Sequence, residues 1–130
     1  MLSRKYNSHI LCLSSPVYLL AGIIVIDKNL YLSILLFGVT TFSILYHHSF
    51  KNISLKILDW TFAMILFLYA LYIVRVKFDP YILIIIAAIV VFKVVDHIVF
   101  KTRHYRIFNY THSVWHFFSA LIIVLAITFI

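Results

Sequence analysis

Charge is what this chain has least of. Only 12% of its 130 residues are charged, and not one is a glutamate. A water-soluble domain of this size needs about a quarter charged residues to cover its surface. A soluble globular fold is therefore excluded, and an integral membrane protein remains. The four acids are Asp27, Asp59, Asp79 and Asp96. The single cysteine, Cys12, lies inside an apolar run and excludes an intrachain disulfide framework. No repeat, linker or low-complexity tail divides the chain, so one domain over residues 1–130 is expected. A small-residue cleavage site is also missing after the first apolar stretch. Arg4 and Lys5 ahead of that stretch resemble a signal sequence in part, but the expectation is a retained first helix.

What is present is hydrocarbon. Hydrophobic residues make up 65% of the chain and form five segments, at about 10–26, 30–48, 57–74, 81–100 and 110–130. These runs of 17–21 residues suit a hydrocarbon core ~30 Å thick. Backbone groups in lipid must pair internally, so only helices or a closed barrel can span it. The runs are too long and continuous for barrel strands. The expected fold is all-α: a polytopic transmembrane bundle of five helices, with the lipid bilayer as its first partner. An oligomer is compatible with this reading. Pro16 falls in the first turns of the first segment, where proline is tolerated. Short polar connections follow at 27–29, 50–56, 75–80 and 101–109.

A net charge of +7 raises nucleic acid as a partner. The basic residues instead sit in the gaps between apolar runs, as membrane flanks do, so no nucleic-acid partner is expected. Counting helices puts Arg4, Lys5, Lys51, Lys56, Lys101, Arg103 and Arg106 on one side and Lys28, Arg75 and Lys77 on the other. Seven against three predicts that the first side, with the N-terminus, is cytoplasmic. Lys93, inside the fourth segment, is expected to snorkel toward that side.

Three polar islands interrupt the hydrocarbon: Ser43 with His47, then Asp59, then His112 with His116. The same helix count brings all three to the cytoplasmic face. Polar groups converging at one membrane depth are costly and mark a functional site. His112 and His116 are spaced i and i+4, so they share one helical face and can grip one ion. His47 from another helix completes three imidazoles, which suits Zn2+ with an open position for water. Asp59 is placed in sequence to take a proton from that water, and Ser43 to donate to it or to an oxyanion. His48 points about 100° from His47 and reads as interfacial, with a ligand role for His48 as the alternative. Asp96 is available as a partner to a ligand histidine, or simply pairs with Lys93 at i,i+3. A bis-histidine haem, with one axial ligand from each of two helices, would leave one of the i,i+4 pair idle.

The order Ser43-x3-His47, Leu58-Asp59-Trp60 and His112-Ser-Val-Trp-His116 resembles the CREST superfamily. That superfamily includes alkaline ceramidases, progestin and adiponectin receptors, GPI-remodelling lipases and transmembrane protein 8 relatives. The resemblance spans about residues 40–120. It implies zinc held by His47, His112 and His116, with Ser43 and Asp59 beside the metal water. It further implies a hydrolase that cleaves an amide or ester bond of a membrane lipid, as ceramidases do. The chain departs from the family core by lacking two helices between the Asp59 helix and the last one. A different class of function keeps the fold and the metal but drops the chemistry: a metal-stabilised membrane scaffold or partner-binding protein.

Overall fold

The computed structural model describes residues 8–49, 52–77 and 80–128, without the side chains at 8, 74–77 and 82. Arg4, Lys5, Lys51 and Asp79 lie outside the described residues, as do positions 129–130. The helices are α1 (Ser8–Ser14), α2 (Pro16–Val25), α3 (Leu30–His48), α4 (Ile53–Lys77), α5 (Pro80–Lys101) and α6 (Tyr105–Thr128). Among the described residues there is no strand. The all-α expectation is met, with α1 and α2 forming the first of the five helices as one broken rod.

The break lies at Ser15-Pro16. Pro16 has no N–H to donate and takes the first position of α2. The hydroxyls of Ser14 and Ser15 both turn back onto the Leu11 carbonyl, at 3.0 and 2.9 Å. Four helices are long and apolar enough to cross a membrane, while the broken first rod offers only His9–Val25.

Two boundaries differ from the sequence reading. α4 begins at Ile53 rather than near 57, because Asn52 Oδ1 accepts from Ser54 N and Leu55 N and caps the helix. α6 begins at Tyr105 rather than 110. Hydropathy locates hydrocarbon, and these helices run on past it into polar sequence. The α5–α6 turn closes with His104 N on Val99 O and Arg103 N on Phe100 O. That is a Schellman motif with Arg103 in the left-handed position, at φ 61°. At the other end, Asn29 caps α3 through Leu32 N and also bonds Tyr69 of α4.

Packing follows an arc. α3 lies against α2 and α4, and α6 lies against α1, α2 and α5. The order around the bundle is α4, α3, α1–α2, α6, α5. The two end helices, α4 and α5, barely meet among the described residues. Tyr18, Ala21, Val25, Leu36, Val39, Ala120 and Ile123 form the central core. Gly22 allows α3 to approach closely: a Cβ there would lie 2.5 Å from the Phe37 ring, and Ser33 Oγ donates to Gly22 O at 2.9 Å.

The bundle is apolar outside and polar inside. Ile23, Ile24, Tyr31, Ile34, Val91 and Leu121 are exposed, while Ser14, Ser15, Ser43, His47, Asp96 and His116 are buried. An outer surface of this kind requires a lipid bilayer to cover it.

Candidate metal centre

α6 carries His112 and His116 one turn apart, and the last turn of α3 carries His47. The three side chains converge, and one ligand nitrogen from each lies within 4.8 Å of the others. Tetrahedral zinc, with bonds of about 2.0–2.1 Å, holds nitrogens roughly 3.4 Å apart. The three nitrogens thus lie within about 1.4 Å of that spacing. His47 and His116 are buried, at 2% and 3% exposure. The three imidazoles could hold a metal ion.

The two α6 histidines are braced from behind. His112 Nδ1 lies 2.7 Å from Asp96 Oδ2. A carboxylate only accepts, so that nitrogen carries the hydrogen and Nε2 keeps its lone pair. His116 Nδ1 lies 2.8 Å from Ser14 Oγ. With the Ser14 hydrogen directed to Leu11 O, that oxygen accepts from Nδ1 and again leaves Nε2 for a metal. Carboxylate and hydroxyl partners of this kind fix ligand tautomer and ring orientation in metal sites. Asp96 is itself held by Thr111 Oγ1 at 2.7 Å and Lys93 Nζ at 3.3 Å. Both contacts open to Asp96 in the sequence, to a histidine of this group and to Lys93, are present.

The other expected residues are placed less directly. Ser43 is buried one turn before His47, and its hydroxyl bonds Ser15 Oγ at 2.9 Å. Asp59 is partly buried on α4 and close enough to Lys93, Tyr18 and Tyr46 to interact electrostatically. Among the described residues no hydrogen bond joins Asp59 to a histidine. His48 is exposed and stays outside the ligand set. Lys93 reaches toward the Lys101 end of α5, with its ammonium 3.3 Å from Asp96 and over the Trp115 ring at 4.9 Å.

Sequence reading missed Ser14, Ser15 and Tyr18. Tyr18 packs edge-on against His116, with ring centroids 5.4 Å apart, and bonds Ser119. A visible signal was available: Ser-Ser-Pro is a costly insertion in an apolar helix, for the same reason as the histidines.

Beneath the histidines a narrow cleft of about 100 Å³ is lined mainly by α4 and α6, with α5 at its side. Ala63, Leu66, Phe67 and Ala70 wall one side, and Ile86 and Ile89 the other. Tyr18 and Trp115 close the back. The cleft is thus apolar and begins one side chain away from His116.

No protein-family model, no curated protein and no solved structure matches the chain.

Proposed function

We propose that this protein is a zinc-dependent membrane hydrolase that cleaves an amide or ester bond in a lipid, a shortened member of the CREST superfamily. The observation that carries the reading is the braced triad above an apolar cleft open between two helices. The donor set of three imidazoles suits zinc better than magnesium or calcium, which take oxygen ligands. It suits haem less, because all three histidines converge and none is idle. When bound, zinc supplies a Lewis acid and a water of lowered pKa.

The chain's own residues would do the rest. His47, His112 and His116 hold the ion, while Asp96 and Ser14 hold two of those rings in register. The cleft takes lipid chain from the side, since α4 and α5 leave the gap unclosed. Asp59, on α4 one turn above Ala63, would be the proton acceptor for the reacting water. Ser43 donates to the developing oxyanion after its hydroxyl turns from Ser15. The seven-to-three basic count orients the metal end toward the cytoplasm.

A second reading is favoured by the separation of Asp59 from the histidines. In it, the ion ties α3 to α6 and the protein is a metal-stabilised scaffold. One experiment separates the two. Purified wild type and His116→Ala are compared for zinc content and for turnover of a panel of ceramides, phospholipids and lipid esters. Zinc with turnover, both lost in the variant, supports the hydrolase. Zinc without turnover supports the scaffold, and equal zinc content in the two proteins removes the site altogether.

A further inference from the structure

Lys93 is the basic residue that the proposed chemistry leaves unused. It stands inside α5, eight residues before the helix end at Lys101, a depth of about 12 Å. Its side chain is 42% accessible. An ammonium has three hydrogens to donate. Among the described residues Lys93 makes one long bond, 3.3 Å to Asp96 Oδ2, an oxygen that also takes His112 Nδ1 at 2.7 Å. His112 Nδ1 also lies 3.3 Å from Lys93, but it donates to Asp96 and so cannot accept. The ammonium thus shares Asp96 with His112 and lies over the Trp115 ring, 4.9 Å from its centroid.

The position of that charge matters. Ile86, Ile89 and Lys93 fall on one face of α5, so Lys93 lies one turn beyond the cleft wall, at the end nearest the histidines. Trp115 is shared between the two: its ring carries the ammonium and closes the back of the cleft. Asp59 and Asp96 are the carboxylates that interact with this cation. With a divalent ion on the histidines, the head of the cleft is net positive. Asp96 is shared with His112, so the Lys93 ammonium keeps donors for a further anion at membrane depth. Every phospholipid presents a phosphate with apolar chains, but only an anionic one brings no headgroup cation to this net positive end.

We propose that Lys93 selects an anionic phospholipid, binding its headgroup phosphate while an acyl chain lies in the cleft. The glycerol esters of such a lipid then fall beside the histidines. This deepens the hydrolase reading and rests on it for the chemistry, but the binding can be tested without turnover.

Trp115 is the built-in probe. The chain has two tryptophans, and Trp60 lies on the outer face of α4. In a Trp60→Phe background Trp115 alone emits. The zinc-loaded full chain, in bilayer particles of phosphatidylcholine, is titrated with phosphatidic acid or phosphatidylcholine carrying brominated chains, which quench on contact. Phosphatidic acid should half-quench at about a tenfold lower mole fraction, the discrimination of roughly one charge-assisted hydrogen bond. Lys93→Arg should keep that preference. Lys93→Gln should lose it while retaining zinc. Equal quenching by the two lipids in the Lys93 protein overturns the proposal, and so does absence of quenching by either. A preference that survives Lys93→Gln also overturns it. Failure of the hydrolase reading looks different: the preference is intact and no lipid is turned over.

Discussion

Asp96→Asn is the most informative single substitution. Asp96 is 1% exposed and its carboxylate accepts from three groups: Thr111 at 2.7 Å, His112 Nδ1 at 2.7 Å and Lys93 at 3.3 Å. An asparagine of the same shape has one oxygen and one NH2. Whichever way the amide turns, its NH2 faces a donor, either Thr111 and its hydroxyl or His112 and Lys93. If the oxygen keeps His112, the bond becomes neutral and the ring loses the carboxylate that raises its basicity. If it keeps Thr111, His112 Nδ1 must deprotonate and shift its hydrogen to Nε2, the nitrogen meant for the metal. Loss of such a partner costs roughly 10–100-fold in metal affinity, or about 1.4–2.7 kcal/mol. The corresponding loss for Ser14→Ala, a neutral bond to His116, is about 0.5–1.5 kcal/mol. The assay is a competition titration of zinc against a fluorescent chelator, with each protein in the same detergent. The order of affinity should be wild type, then Ser14→Ala, then Asp96→Asn. Zinc affinity of Asp96→Asn within twofold of wild type would refute the bracing argument, because the Asp96–His112 bond would then carry no share of the metal site.

Asp59→Asn should keep zinc at the wild-type level and lower turnover by about 10²–10⁴, since Asp59 lies outside the ligand set and is assigned only a proton. Loss of zinc in that variant, measured by metal content, would move Asp59 into the ligand group. Cysteines placed at Ser54 and Thr102, with Cys12 replaced, should both resist an impermeant thiol reagent until sealed membranes are opened; labelling of one alone would mean a wrong count of crossings between them. Arg103→Gly should raise the stability of the bundle by about 1 kcal/mol, because φ of 61° costs a side chain that glycine does not carry. A lower melting temperature for Arg103→Gly in detergent would show that the Arg103 side chain contributes more than its backbone costs.

The apolar runs were legible because lipid imposes a single demand on every residue that faces it. Their ends were not, since Asn52 and Arg103 set those ends through local hydrogen bonds and a left-handed turn, to which hydropathy is blind. The same contrast divides the site. His112 and His116 declare a shared helical face by spacing alone, and the parity of crossings brings His47 to the same end. Ser14 could not be placed in that way. Its bond to His116 spans 102 positions and depends on α1 packing against α6. Asp96 sits between these cases: i,i+3 spacing predicts its pairing with Lys93, but its grip on His112 needs α5 and α6 to pack in one particular register. Polar residues in hydrocarbon therefore announce that a site exists and at which depth. Which of them touch is decided by packing, and it is the packing of α1 and α5 against α6 that brings Ser14 and Asp96 to the histidines.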